Sequence, residues 1–217
     1  MSAFNFITLP YAIERAHPSF EEPGLQSPES LLRHFIGAHT KKGGRVFDPF
    51  AGLGTTLFVA EEMGRVPFGI EANPNRQQWV AGQLDHWTHL VHGDAGRMKS
   101  YGFPKMDFCI TAPPFMRKSD RWNPLYAGDP AHAGYPAYLK RMGLIIAQLP
   151  HIMKRNAPIV VQVDNLPGKT YTPLVFDMIG IFSRHFRLDN EVIVTWEGGR
   201  ADYRHTHCLI FKNVKKS

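Results

Sequence analysis

The chain has 217 residues, 43% of them hydrophobic and 12% aromatic, which predicts an ordinary globular protein with one well-buried domain. Runs of about 18 apolar residues do not occur, and the start of the chain lacks the features of a signal peptide, so we expect a cytoplasmic protein without a membrane span. The net charge of +6 and a pI near 9.4 favour a polyanionic partner, nucleic acid before others.

The chain begins with residues 1–27, which we expect to form an irregular arm because they carry three prolines and a glycine. A helix should follow, with Ser27 as N-cap and Pro28 at the first helical position. Residues 28–217 then form a single domain, because the predicted strands and helices leave no room for a separate recognition domain.

The stretch that organises the chain is Arg45-Val-Phe-Asp-Pro-Phe-Ala-Gly-Leu-Gly-Thr-Thr56. It predicts a short buried strand, a tight turn without bulky side chains and the N-terminus of a helix. The glycines of the turn let a ligand lie against bare backbone, and the first helical turn offers free N–H groups. Asp48 stands where a phosphate would be repelled, and no P-loop lysine follows, so a polyphosphate is disfavoured.

Strand and helix patterns alternate through the rest of the chain. Further strands are predicted over 66–71, 90–92, 106–111 and 158–163, with helices from 73 to 84, 135 to 155 and 171 to 184. The segments 191–196 and 205–211 predict a closing hairpin. The fold class is therefore α/β, a doubly wound, mostly parallel sheet of seven strands whose last strand is antiparallel.

Three acids fall at the ends of the first three predicted strands: Asp48, Glu71 and Asp94. In a doubly wound sheet these ends line one crevice. Glu71 follows the Gly-rich turn by about 20 residues, the spacing at which an acid binds the hydroxyls of a ribose. The alternative for Glu71 and Asp94 is that each only caps the loop that follows it.

The segment Thr111-Ala-Pro-Pro-Phe115 follows a strand that its prolines prevent from continuing. It predicts a stiff loop that holds backbone carbonyls and an aromatic ring at the rim of the crevice. Together with the Gly-rich stretch, this segment resembles the S-adenosylmethionine-dependent amino-methyltransferases of DNA, the N4-cytosine and N6-adenine group. The similarity runs in order and spacing from about Ser27 to Phe211.

The resemblance implies S-adenosylmethionine as cofactor and a Rossmann-like class I methyltransferase fold. Residues around the methionine moiety, the ribose and the adenine would be Asp48, Phe50, Ala51, Gly52, Gly54, Thr55, Thr56, Glu71, Asp94 and Ala95. The catalytic segment would be Thr111, Ala112, Pro113, Pro114 and Phe115, with the Phe115 ring stacked on a flipped-out target base. Residues His17 to Pro28 resemble the N-terminal motif that completes the cofactor pocket.

The chain departs from this family at Ala112, where the family has Ser, Asp or Asn. The usual oxygen accepts a hydrogen bond from the amine and localises its lone pair. Substitutes are the Pro113 carbonyl, an inward-turned Thr111, or Asp164 and Asn165 after the fifth predicted strand. Loss of such a contact costs on the order of 100-fold in rate.

Basic and aromatic residues interleave in the loop 116–134, which predicts contacts to a nucleic-acid backbone. The candidates are Arg117, Lys118, Arg121 and Trp122, with a second contact at Arg200 and Arg204. The alternative is a solvated loop. No metal site is predicted, because His205 and His207 lack a third ligand. Cys109 and Cys208 lie in apolar runs, which predicts buried free thiols.

These observations predict an N-methyltransferase acting on a nucleobase amine, in DNA before RNA, with a second copy or another protein supplying target recognition. The non-enzymatic alternative is a nucleic-acid-binding adaptor whose catalytic motif has decayed at Ala112.

Overall fold

A computed structural model describes residues 5–13, 15, 26–197 and 205–214. The strands are β1 (Phe6–Pro10), β2 (Arg45–Asp48), β3 (Val66–Glu71), β4 (Leu90–His92), β5 (Phe108–Thr111), β6 (Pro158–Val163), β7 (Arg187–Glu197) and β8 (His205–Lys212). The α-helices are α1 (Glu29–His39), α2 (Thr55–Glu62), α3 (Pro74–Ala81), α4 (Tyr135–Ile146) and α5 (Leu174–Phe182). Short 3₁₀ turns cover residues 87–89, 95–101, 124–126, 130–132 and 149–151.

All eight strands form one sheet in the order β1-β7-β8-β6-β5-β2-β3-β4. Every pairing is parallel except those of β8, which runs antiparallel to both β6 and β7. The predicted fold class, a mostly parallel sheet with an antiparallel last strand, is confirmed. The sheet reverses its order between β2 and β5, and the carboxyl ends of β2, β3, β4, β5 and β6 lie along one edge.

Helices cover both faces of the sheet, and neighbouring strand residues alternate between the two cores. Val46, Ile110 and Val160 pack with α1 and α2 on one face. Phe47 and Val161 pack with α4 and α5 on the other. This two-sided burial explains why the central strands read as continuous apolar runs in the sequence.

The prediction of seven strands is wrong by one, because part of the predicted irregular arm is a strand. Residues 6–10 pair in parallel with β7, from Phe6 opposite Ile193 to Pro10 opposite Glu197. Pro10 is tolerated there because β1 is an edge strand and its last residue needs no ladder donor. The segment shows only weak alternation, with Phe6 exposed, so periodicity alone did not reveal it.

Several predicted boundaries also differ from the structure: α3 ends at Ala81, α5 spans Leu174–Phe182, β7 begins at Arg187, and α4 and α1 differ for the following reasons. The helix expected over 135–155 ends at Ile146, because Pro150 lacks an N–H and its ring clashes with the carbonyl four residues earlier. At the start of α1 the N-cap is Pro28, without a side-chain cap bond. The Ser27 hydroxyl instead donates to Gln162 Oε1 at 2.6 Å, tying the arm to β6.

Cys109 and Cys208 are both buried free thiols, as predicted. Burial raises the pKa of each thiol well above its usual value, so neither is a reactive nucleophile. In the part of the chain that the structure describes, no helix has the length and apolar character needed to cross a membrane.

Candidate active site

The Gly-rich turn joins β2 to α2 and holds two glycines in the left-handed region. Gly52 has φ = 55° and Gly54, the N-cap of α2, has φ = 76°. The reasons for the two glycines differ. A Cβ on Gly54 would lie 2.4 Å from Val80 Cγ1, so this glycine permits α3 to pack against the turn. A Cβ on Gly52 would meet nothing closer than the Phe50 carbonyl at 3.9 Å, so the backbone there faces open space.

Asp48 is almost fully buried at the end of β2, with its side chain inside a hydrogen-bond network. Its Oδ1 accepts from the Phe50 backbone N–H at 3.0 Å and from the Thr111 hydroxyl at 2.6 Å. Burial, with a smaller contribution from the nearby Glu71, raises the pKa of Asp48 to about 6, although the hydrogen bonds from Thr111, Thr56 and Phe50 oppose that rise. A carboxylate held this way is pre-positioned and highly responsive to any positive charge placed beside it.

Glu71, at the end of β3, joins the Gly-rich turn to the loop before α3. Its Oε2 accepts from the Gly52 backbone N–H and its Oε1 from the Asn73 backbone N–H, both at 2.8 Å. Burial raises the pKa of Glu71, while the two N–H groups oppose that rise. The side chain therefore does cap its neighbouring loops. Each carboxylate oxygen has further lone pairs available to a ligand.

Asp94, after β4, caps the 3₁₀ turn 95–101 through Gly96 N–H at 2.7 Å. Its other oxygen pairs with the Arg141 guanidinium from α4. Arg141 also lies over the Tyr126 ring, 4.9 Å from the centroid, so one side chain connects Asp94 to the loop 116–134. Ala95 is buried in the core beneath this turn.

The Pro-Pro segment leaves β5 beside the Gly-rich turn. Thr111 is buried and its hydroxyl is committed to Asp48, so it does not turn inward as an acceptor. The Tyr138 hydroxyl of α4 donates to the Pro114 carbonyl at 3.0 Å and fixes the segment from behind. Ala112 is half-buried, Pro113 is buried, and the Phe115 ring is 37% exposed at the rim.

A small pocket brings the two predicted motifs together. Its lining comprises Gln26, Ser27, Asp48, Phe50, Ala51, Gly52, Leu53, Thr55, Thr56 and Ala112. The pocket thus joins the Gly-rich turn to Ala112 of the Pro-Pro segment. Gln26 reaches over the start of α2, with Nε2 at 3.5 Å from Thr55 Oγ1. Residues 26 and 27 also close one side of this pocket.

The loop 116–134 is held together by its own hydrogen bonds and aromatic contacts. Asn123 is fully buried, caps the turn 124–126 and donates to the His132 carbonyl at 3.1 Å. The Tyr126 and His132 rings stack with centroids 4.0 Å apart. The four predicted phosphate and stacking residues of this loop, Arg117, Lys118, Arg121 and Trp122, are all exposed on its surface.

Arg121 lies over the Trp122 ring at 4.9 Å, presenting a cation and an aromatic face together. The second predicted contact, Arg200 and Arg204, falls outside the described residues. Among the described residues, no group of three or more His, Cys, Asp and Glu side chains is placed to hold a metal ion. His207 instead pairs with Glu191, Nδ1 to Oε1 at 2.6 Å.

The two other substitute acceptors, Asn165 and Asp164, are hydrogen-bonded to different parts of the fold. Asn165 Oδ1 accepts from the Val175 backbone N–H at 3.1 Å and so organises the entry to α5. Asp164 Oδ1 accepts from the His207 backbone N–H at 3.2 Å, and burial raises its pKa. Asn165 is therefore a turn former, and Asp164 is held towards β8.

Sequence patterns missed Tyr138 and Arg141, and they did not single out Gln26 within the predicted segment from His17 to Pro28. Arg141 and Tyr138 sit three residues apart on α4, where only their helical spacing hinted at a shared face. Gln26 stands in a segment without periodicity. The contacts of all three are long-range in sequence, so local patterns carried no signal for them.

A doubly wound sheet with β8 inserted antiparallel, a Gly-rich turn after the central strand and an acid after the next defines the class I methyltransferase fold. A methyltransferase from Pyrococcus furiosus shares this fold, with a TM-score of 0.59 over 93% of this chain and 88% of that chain at 13% identity. At that identity the likeness establishes the fold alone.

Residues 12–81 match the family described as DNA methylase, so the resemblance predicted from the motifs is confirmed over that segment. The chain is 51% identical over 47 residues to the type II methyltransferase M2.DpnII of Streptococcus pneumoniae. It is 36% identical over 80 residues to the DNA adenine methyltransferase YhdJ of Escherichia coli strain K12. These matches cover 22% and 37% of this chain, and 18% and 27% of the lengths of the two relatives.

Proposed function

We propose that this protein is an S-adenosylmethionine-dependent methyltransferase that acts on an exocyclic amine of a nucleobase. The observation that carries the proposal is the pocket in which the Gly-rich turn meets Ala112 of the Pro-Pro segment. A methyl donor and a methyl acceptor must lie in contact, and this pocket is where the two motifs adjoin.

The residues present fit the cofactor. Open space beside Gly52 leaves room for a ligand against bare backbone, and a Cβ there would intrude on it. Asp48 offers a buried carboxylate to a positively charged group, and Glu71 retains lone pairs for ribose hydroxyls. When bound, S-adenosylmethionine supplies an electrophilic methyl group on a sulfonium. The protein's contribution is to orient the partners and to match their charges.

The base side of the site depends on the Pro-Pro segment. An exocyclic amine is a weak nucleophile because its lone pair is delocalised into the ring, and an acceptor for its N–H groups localises that pair. In the described part of the chain the Pro113 carbonyl has no hydrogen-bond partner, which leaves it free to accept from the amine. Tyr138 holds this backbone through the adjacent Pro114 carbonyl, and the Phe115 ring at the rim provides a stacking platform.

Ala112 leaves this acceptor set one oxygen short. Thr111 does not replace it, since its side chain is buried against Asp48 and does not line the pocket, and Asn165 is engaged at the start of α5. We therefore propose an enzyme that transfers methyl groups slowly, with the Pro113 carbonyl as its main acceptor. The adaptor alternative predicts cofactor and nucleic-acid binding without any transfer.

We favour DNA over RNA because the matching family is described as DNA methylase and one relative is named a DNA adenine methyltransferase. We further propose that residues 28–217 act as one methyltransferase domain, that the arm completes the cofactor pocket through residues 26 and 27, and that a second copy or another protein supplies target recognition.

The test is transfer of labelled methyl from S-adenosylmethionine to pools of DNA, RNA and protein, followed by mass spectrometry of the digested nucleosides. We expect label in an N-methylated nucleoside from DNA, and loss of it in Phe115→Ala with cofactor affinity unchanged. Leu144→Ala is the matched control, because Leu144 is an exposed hydrophobic residue remote from the pocket.

Label found only in RNA would change the proposed substrate from DNA to RNA. Cofactor binding without label in any nucleic acid would refute the enzyme and favour the adaptor.

A further inference from the structure

An open cleft lies at the opposite edge of the sheet from the active site. It has a volume of about 530 Å³ and opens between the loops that precede β5 and β6 and the loop that follows α5. Its basic lining residues are Lys105, His151, Arg155, Arg184 and His185. These loops lie at the amino ends of β5, β6 and β7, while the Gly-rich turn lies at the carboxyl ends.

The ionisable residues that line this cleft are all basic. No Asp or Glu of the described residues lines it. Two acids on that edge are already paired. Asp107 pairs with Lys154, and Asp189 pairs with both Arg187 and Lys212. Arg155 and Arg184 are exposed, and the described ion pairs include neither of them. A concave surface lined by positive charges focuses the electrostatic field and raises the local concentration of anions.

The walls of the cleft are held in place by hydrogen bonds to backbone carbonyls. The Asn213 side-chain amide donates to the Met153 carbonyl at 3.2 Å and to the Lys154 carbonyl at 3.0 Å. The Asn156 N–H donates to the Asn213 carbonyl at 2.8 Å. Lys105 Nζ donates to the His151 carbonyl at 2.5 Å, which sets its ammonium at the mouth of the cleft. The cations are thus carried on a fixed frame.

We propose that this cleft binds the phosphodiester backbone of nucleic acid outside the target base. The proposal rests on the proposed function, which makes nucleic acid the substrate. β6 has six residues, so the cleft is about 20 Å from the active site along the sheet. Its contact would fall on a neighbouring segment of a long substrate and would be independent of sequence, as backbone contacts are.

The test is fluorescence anisotropy of a labelled 40-base-pair duplex across a range of salt concentrations. We expect Arg155→Glu/Arg184→Glu to weaken binding about tenfold or more and to make the slope against salt shallower by about 2, one per lost phosphate contact. Lys41→Glu/Lys42→Glu is the control. These exposed lysines carry the same charge on the same edge of the sheet, but beside α1 on the other face.

Equal loss in the two double variants would overturn the proposal, because net charge alone would then explain it. A kinetic arm measures methylation of the same duplex, where the cleft variant should raise KM several-fold and leave kcat unchanged. A fall in kcat with unchanged KM would also contradict the cleft. If no methylation is detected with any protein, the proposed function fails while the anisotropy still decides whether the cleft binds the backbone.

Discussion

The two edges of the sheet carry two different kinds of polar surface. At the carboxyl edge, Asp48 and Glu71 are buried and each accepts hydrogen bonds from the backbone of the Gly-rich turn. At the amino edge, Arg155 and Arg184 are exposed around an open cleft. The first surface depends on fixed geometry and low exposure to water. The second depends on long-range charge that salt screens.

This contrast predicts that substitutions at the two edges of the sheet act through different physical effects. Changes at the carboxyl edge should act through backbone conformation, burial and protonation, with large effects from single atoms. Changes at the cleft of the amino edge should act through the local positive charge of its lining residues, and their effects should vanish at high salt.

The two glycines of the turn provide the strongest separation of fold from function. Gly54→Ala should lower the free energy of unfolding by about 3 kcal/mol, because it adds left-handed strain and places a Cβ against Val80. Gly52→Ala carries the strain without the collision, so it should cost about 1 kcal/mol and instead weaken S-adenosylmethionine binding. Urea unfolding and calorimetric titration measure the two quantities.

Val80→Ala is the control for this pair, since it removes the two atoms closest to a Gly54 Cβ and leaves Phe58 Cε2, at 3.1 Å, as the next nearest. It should recover part of the stability lost in Gly54→Ala and none of the affinity lost in Gly52→Ala. Equal destabilisation by the two glycine variants would contradict the assignment of Gly54 to packing and Gly52 to the ligand.

Asp48→Asn should weaken S-adenosylmethionine binding by about 30-fold near neutral pH, since it removes a charged contact worth roughly 2 kcal/mol. Folding raises the pKa of Asp48 from its ordinary 3.8 to about 6. The folded state therefore keeps a proton that the unfolded chain has lost, and the stability contributed by Asp48 falls as pH rises from about 4 to about 6.

At higher pH the full penalty, about 3 kcal/mol at most, should be absent from the Asn variant. Unfolding curves at several pH values should show a decline in the parent protein that is missing in Asp48→Asn. Parallel curves would refute the raised pKa. In the parent protein, cofactor affinity should rise with pH through the same range, as the carboxylate ionises.

Arg141→Ala should loosen the loop 116–134 and destabilise the protein by about 1 to 2 kcal/mol, because Arg141 joins Asp94 to the Tyr126 ring. Limited proteolysis should then cut within residues 123–134. Arg141→Lys keeps a charge beside Asp94 but loses the planar stack, so it should protect the loop only in part. Identical digestion of parent and Ala variant would remove the link between the cofactor side and the loop.

The sequence predicted the parts of this molecule that local chemistry determines. The Gly-rich turn, the acids at the strand ends and the Pro-Pro segment all lie where their residue types required. Local patterns did not reveal β1, because its pairing with β7 joins residues nearly 190 positions apart and its alternation is weak. The C-terminal end of α4 was misplaced for a simpler reason, since the apolar pattern before Pro150 outweighed the helix-breaking effect of that proline.

The engaged side chains of the site were equally beyond local patterns. That Thr111 donates to Asp48, that Asn165 caps α5 and that Arg141 reaches Asp94 all depend on contacts between distant elements. The basic cleft was invisible for the same reason, because its cations come from separate loops along the chain.

The most direct test of the account is the single-turnover rate of methyl transfer in Ala112→Ser at saturating S-adenosylmethionine. A serine restores an acceptor oxygen at the junction of the Gly-rich turn and the Pro-Pro segment. The rate should rise at least tenfold above the parent protein, with cofactor affinity and thermal stability unchanged. An unchanged or lower rate, at equal cofactor affinity, would contradict the claim that this pocket is the methyl-transfer site limited by the oxygen missing at Ala112.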